Sequence, residues 1–269
     1  MPGELQIIVC GSIVPDPLQS LEPVEGSNGP TLKNEMMLPC VLDPWAAHAL
    51  YEAGNLAKKI QGSKIYLVSL GPKAKLQQLM MTVAQKVSFE LVAVDGPAGG
   101  FIDSYDTANA LKERIEKIVG PDKSKLLLFG GCASASRDAS STMQILGEML
   151  RISHQFLQVD ELKIEEDMKF RIKERIEGGK YQVSLCKGPP VVLGWATGYL
   201  PEPPNNPQLG MSNMRSIMPA LSKAQAVNLN TESIKYFDVQ IPQSERKTKI
   251  VKDMPPDEIA KEITEWIKV

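Results

Sequence analysis

Over the first 150 residues, short apolar runs alternate with stretches whose apolar residues recur at helical spacing. Residues 5–10 are rich in β-formers and end at Gly11. From Pro44 to Lys59, the apolar residues Trp45, Ala49, Ala53 and Leu56 make a helical stripe, with Asp43 as its N-cap. Residues 64–70 predict a second strand, stopped by Gly71-Pro72, and residues 73–86 predict a helix. A strand over 89–94 precedes a helix over 106–119 that ends at Gly120-Pro121. A strand over 125–129 follows, and residues 142–150 lie in a helix. Strands alternating with helices of this length imply an α/β fold, a Rossmann-like doubly wound sheet that is mostly parallel and covered on both faces.

The pattern changes after residue 150. Residues 156–164, 169–176 and 180–186 read as strands, with Gly178-Gly179 as a hairpin turn, and 189–195 supplies one more apolar strand. The stretch YLPEPPNNPQLG, 199–210, is too proline-rich to continue a helix or a central strand. Residues 228–254 are polar and weakly patterned, and 255–267 form a closing amphipathic helix. So long a tail is unusual within a compact monomer. The expected organisation is therefore a nucleotide-binding α/β domain over 1–225, then a C-terminal arm and helix over 226–269 that packs on a partner subunit.

Composition narrows the function classes. A chain of 269 residues with 43% hydrophobic and 23% charged positions can bury a sizeable core. The formal charge is −2 and there is no basic run, so nucleic acid and anionic membrane surfaces are not expected partners. Cys10, Cys40, Cys132 and Cys186 lie far apart and only two histidines exist, which argues for reduced thiols and against a metal cluster. The N-terminus lacks a signal-peptide pattern, and no apolar run approaches the roughly 20 residues of a membrane span. The expectation is a cytoplasmic protein with no direct membrane insertion.

Motifs for ordinary ATP and NAD sites are missing: there is no G-x-x-x-x-G-K-[ST], and no G-x-G-x-x-G follows a strand. There is no G-x-S-x-G elbow either. The chemically suggestive stretch is LLLFGGCASASRDASSTM, 126–143, a strand that breaks at two glycines and opens into small polar residues before a helix. Glycines let a backbone approach a phosphate, and hydroxyls with free helix N–H groups can donate to it. The same residues also suit a plain βα turn whose serines and Asp138 cap the helix. Val68–Pro72 (VSLGP) is a second strand that ends on glycine. In a parallel sheet, Cys10-Gly11-Ser12, VSLGP and the 130–142 loop would converge on one crevice. Trp45, taken alone, reads as a core or staple tryptophan, and Glu174, Arg175 and Glu177 as a solvated hairpin end.

In series, these pieces resemble the β subunit of electron transfer flavoprotein. CGSIVPDP (10–17) is similar to a strand followed by V-K-x-V-P-D-P, with Ser12 where lysine is common. MMLPCVLDPWAAHALYEA places Asp43-Pro44-Trp45 at an Asn-Pro-Phe helix start, and VSLGP matches V-S-x-G-P. FRIKERIEGGKYQVSLCKGPPVVLGWATG resembles the R-E-x-D-G-G hairpin and its apolar strand, and NMRSIMPALSK resembles L-P-N-I-M-K-A-K-K.

The resemblance implies an adenine nucleotide alpha hydrolase-like fold and an electron carrier, not an enzyme. It implies an α subunit as partner that holds most of the FAD, and AMP or a second FAD in this chain's own crevice. A flavin-dependent dehydrogenase would supply electrons to a quinone-linked membrane oxidoreductase or another acceptor. By position, Trp45 would stand against the flavin and Met214 would anchor the dehydrogenase in a recognition loop. The nucleotide crevice would draw on Val9, Cys10, Val68, Ser69, Gly71, Gly130, Ala133, Asp138, Ser140, Ser141 and Thr142. Two alternatives remain at this stage: an adenine-nucleotide-binding protein without a redox role, and a structural β subunit with an empty crevice. The chain departs from the family pattern in its 130–143 loop, with Met143 where a glycine follows the threonine. It also reverses Arg-Glu to Glu174-Arg175 and carries extra residues over 203–210.

Overall fold

The computed structural model describes residues 4–26, 29–97, 102–136, 140–165, 169–196, 200–229, 240–241 and 250–268. Strand β1 (Gln6–Cys10) leads through β2 (Ile13–Pro15), the hairpin β3 (Pro23–Gly26) and β4 (Gly29–Leu32), and β5 (Cys40–Leu42) into helix α1 (Pro44–Lys59). The alternation continues with β6 (Lys64–Gly71), α2 (Lys73–Val83), β7 (Glu90–Asp95), α3 (Ser104–Val119), β8 (Leu126–Gly131) and α4 (Thr142–Met149). Four strands follow without intervening helices: β9 (Gln155–Ile164), β10 (Phe170–Ile176), β11 (Lys180–Cys186) and β12 (Val191–Trp195). The chain closes with α5 (Pro207–Ser222), β13 (Gln225–Ala226) and α6 (Pro256–Ile267).

Among the described residues, one nine-stranded sheet runs in the order β11-β10-β9-β12-β8-β1-β6-β7-β13. From β9 to β13 every neighbouring pair is parallel, and β10 and β11 extend the sheet as an antiparallel hairpin. Alternate residues of each central strand feed two separate cores, as strand geometry requires. Ile7 and Val9 of β1, with Leu127 and Phe129 of β8, pack under α1, α2 and α5. Ile8, Cys10, Leu126 and Leu128 pack under α3 and α4. This is the doubly wound α/β layer that the periodicity implies. Trp195 at the end of β12 is fully buried and stands edge-on to Phe129 at 5.4 Å between ring centroids.

The order fixes a switch point. From β1 the chain moves one way, through α1 to β6, and returns through α3 to β8 on the other side of β1. The segments leaving β1 and β8 therefore diverge and leave a crevice at the carboxyl edge.

The departures from the predicted elements have tertiary causes. The helix read over 73–86 stops at Val83 because the Asn213 amide of α5 donates to the Ala84 and Val87 carbonyls at 2.7 and 2.8 Å. The strand read over 156–164 is present as β9 but carries an irregularity at Gln158, whose φ of 54 places it in the left-handed region where the β9–β12 register shifts. The segment resembling a recognition loop is the helix α5. Asn206 caps it by accepting from the Gln208 and Leu209 N–H groups, and Pro207 occupies the first turn. The proline-rich approach is held by Lys86, which donates to the Pro203 carbonyl at 3.0 Å and pairs with Glu202 at 2.6 Å.

Candidate functional site

The carboxyl edge opens into a cavity of about 1010 Å³, at the upper end of the range for small-molecule sites. Three segments that follow strands form its floor: Cys10 to Val14 after β1, Leu70 of β6, and the stretch after β8 with Gly131, Ala133 to Ser136, Ser140, Thr142 and Met143. Ser104, Thr107 and Leu111 of α3 make one wall. The far side is built from Pro23, Thr31 and Leu32 of the β3–β4 hairpin, with Glu35 and Lys75. Sequence reasoning did not foresee that hairpin wall, because the hairpin spans residues with no alternating pattern. Lys75 is anchored there by a 3.2 Å hydrogen bond to the Glu35 carbonyl.

The cavity therefore has two chemistries. Hydroxyls of Ser12, Ser136, Ser140 and Thr142, with the Lys75 ammonium, supply donors to an anion. Cys10, Ile13, Leu70, Leu111 and Met143 supply apolar surface of the kind a nucleobase packs against. The Cys10 thiol is buried, which pushes its pKa up to about 12, so it meets a ligand as a small neutral side chain. The residues present thus fit an adenine nucleotide in size and in polarity.

The predicted site residues divide on inspection. Cys10, Ala133, Ser140 and Thr142 line the cavity. Val9 and Val68 are fully buried in the two cores, on either side of the sheet. The Ser69 hydroxyl is committed to the Gly11 carbonyl at 2.6 Å and shapes the turn after β1. Gly71 lies under Ile13, whose side chain leaves no room for a Cβ. Gly130 lies under the thioether of Met143 in the same way, so the methionine fills the crevice floor beside β8. Ser141 precedes α4 without a side-chain capping bond, and its carbonyl accepts from the Ile145 N–H at 3.0 Å. Asp138 lies outside the described residues.

Trp45 stands apart from the cavity, half-buried in the first turn of α1, where Asp43 caps the helix by accepting from the Trp45 N–H at 3.1 Å. The predicted N-cap is thus present, but it also does something the sequence could not reveal. Its second oxygen accepts from the Ser134 hydroxyl at 2.8 Å and from the Ala135 N–H at 2.9 Å. The carboxyl is held above the usual carboxylate range because burial outweighs the hydrogen bonds it receives from Ser134, Ala135, Trp45 and Ala46. Beneath it, Gly131 brings β8 so close to α1 that a Cβ would come within 2.6 Å of the Trp45 Cβ.

On the hairpin, the reversed pair points to opposite faces of β10. Glu174 turns toward the bulge and accepts from the Leu157 N–H at 2.9 Å, a donor that the broken ladder would otherwise strand. Burial of Glu174 raises its pKa against the lowering effect of that bond and of Ser184. Arg175 reaches the buried Asp160 at 2.6 Å, off the hydrogen-bonding direction, so charge holds the pair. Met214 lies in α5, partly buried against the larger core, while Met211 and Met218 on the same helix are exposed. The closing helix α6 shows Ile259, Ile263, Trp266 and Ile267 to solvent.

No group of metal ligands is present among the described residues, and no described helix is long and apolar enough to cross a membrane. A family model for the electron transfer flavoprotein domain matches residues 35–224, from the wall of the cavity at Glu35 to the end of α5. No curated protein matches the chain.

Proposed function

The chain belongs to the electron transfer flavoprotein domain family, whose members bind flavin and carry electrons, and from that premise we propose that it is the β-type subunit of a heterodimer. The observation that carries the reading is the loop after β8. It falls within the family match and forms the floor of a nucleotide-sized cavity at the switch point of the sheet. That crevice holds an adenine nucleotide, either AMP or a second FAD. The redox-active FAD is held mainly by an α subunit, with Trp45 at the wall that this chain contributes. The flavin supplies the electron chemistry, and the protein supplies position and exclusion of water.

Two exposed features support a bound partner. The strand–helix domain leaves α6 without a buried residue, although Ile259, Ile263, Trp266 and Ile267 give it an apolar stripe. Such a helix lays its apolar face on another surface, and here that surface is the α subunit. The methionines of α5 suit adaptable contact with an electron donor of the flavin-dehydrogenase class, with Met214 packed behind the exposed Met211 and Met218. The acceptor is a quinone-linked membrane oxidoreductase or another acceptor.

Co-expression with the α-subunit reading frame tests the proposal. A yellow one-to-one heterodimer whose flavin is reduced by a dehydrogenase supports it. A colourless homo-oligomer that binds ATP would instead favour a nucleotide-binding protein without a redox role.

A further inference from the structure

Asp43 is where the cavity and the Trp45 turn of α1 meet. Its side chain is fully buried, and its two oxygens are divided between two elements. Oδ1 accepts from the Trp45 N–H at 3.1 Å, while Oδ2 accepts from the Ser134 hydroxyl at 2.8 Å and the Ala135 N–H at 2.9 Å. The main-chain N–H of the same residue donates to the Ser12 carbonyl at 2.8 Å. Ser12, Ser134 and Ala135 all line the cavity, whereas Trp45 does not. A carboxylate is planar and rigid. A loop hung on one oxygen and a helix end hung on the other therefore move as a unit.

The residue type matters. A carboxamide at position 43 has one acceptor oxygen, and its NH2, turned toward Ala135, would set a donor against a donor. Asparagine, which the resembling motif carries at this place, can keep the Trp45 bond only by leaving the Ala135 N–H without an acceptor. Ser134 supplies the hydroxyl that the second oxygen receives. The carboxylate and the serine-rich loop thus form a matched pair in this chain.

We infer that Asp43 is a positioning residue that couples occupancy of the crevice to the Trp45 turn of α1, with Ser134 as its partner in the loop. The inference rests on the reading of the crevice as an adenine-nucleotide site. A ligand that draws the 133–136 loop inward pulls on Oδ2, and the same carboxylate carries the pull to the Trp45 N–H.

The test uses the flavin-loaded heterodimer stripped of its exchangeable nucleotide and titrated with AMP, and in parallel with FAD. Equilibrium dialysis reads binding. Indole emission reads the coupling, with Trp45→Phe defining the part that belongs to Trp45, because Trp195 and Trp266 also emit. In the wild type, the Trp45 emission changes with the midpoint found by dialysis. Asp43→Asn and Ser134→Ala each weaken binding by about five- to ten-fold, the size expected for loss of one hydrogen bond that orders the loop. The emission change at saturation falls to less than about a third in both variants, and the double variant is no worse than either single one. Ser134→Ala leaves the helix cap intact, so it decides the matter even where Asp43→Asn folds poorly. A full-sized emission change in the saturated variants would overturn the coupling while leaving the site itself standing. Failure of the wild type to bind either nucleotide by dialysis would overturn the crevice reading and the coupling together.

Discussion

Replacing Gly131 by alanine strikes the joint between the β8 loop and helix α1. The new Cβ would stand 2.6 Å from the Trp45 Cβ, 3.0 Å from the Ala133 carbonyl oxygen and 3.3 Å from the Ala46 nitrogen. Two of these neighbours are backbone, and the third is the root of a side chain, so no rotamer change relieves the contact. Restoring an ordinary 3.4 Å separation requires α1 and β8 to part by about 0.8 Å at this point. A shift of that size stretches the 2.8 and 2.9 Å bonds from Ser134 and Ala135 to Asp43 beyond hydrogen-bonding range. Overpacking costs about 1–3 kcal/mol, and each of the two weakened bonds adds about 1 kcal/mol, so Gly131→Ala is expected to destabilise by about 3–5 kcal/mol. Urea unfolding of the purified protein measures this as a lower midpoint at unchanged slope. Gly178→Ala is the comparison: nothing lies within 4 Å of its Cβ, and its positive φ alone costs about 1 kcal/mol. A Gly131→Ala cost no greater than that of Gly178→Ala would refute the close approach and the strut it supports.

Glu174 is expected to show its burial as a pH effect. Its folded-state pKa lies above the ordinary value, so its contribution is full below the unfolded pKa and is lost as pH rises through the folded one. Glu174→Gln should therefore cost more stability in acid than at pH 7, and a pH-independent difference would count against the assignment. Arg175→Ala strands the Asp160 carboxylate, whose side chain is 1% exposed, and is expected to cost about 2–3 kcal/mol, discounted for the 37% exposure of the arginine. Asp160→Asn, which removes the buried charge, should cost less when both variants are measured by urea unfolding; the reverse order would contradict the pairing. Ile263→Asp in α6 should leave the unfolding midpoint of the chain unchanged, because α6 buries no residue, while weakening association with the α subunit at least ten-fold. Unaltered association would remove α6 from the interface.

What the sequence discloses and what it hides follow from the range of the interactions. The strand–helix alternation, the Asp43 cap and the Gly178-Gly179 turn depend on neighbours in the chain, and all three stand in the structure. The second role of Asp43 joins residues 91 and 92 positions apart, and nothing local marks it. The same holds for the end of α2, which Asn213 decides from across 126 residues. Glycines and small residues after β1, β6 and β8 point to the carboxyl edge of the sheet, where the cavity opens, but not to which of them face it. Ser69, Gly71 and Gly130 turn out to shape the turns and receive neighbouring side chains, while Ser12, Ser134 and Ser136 reach the opening. The loop's departures acquire a physical content: Met143 covers Gly130, and Ser134 answers the carboxylate of Asp43.

The central claim is that the crevice of this chain carries an adenine nucleotide within a flavoprotein heterodimer. Heat release of the bound ligands, followed by chromatographic counting of flavin and adenine per heterodimer, tests it most directly. The account predicts two adenine nucleotides for each pair of subunits, either one FAD and one AMP or two FAD. A single FAD with no further adenine nucleotide would contradict it.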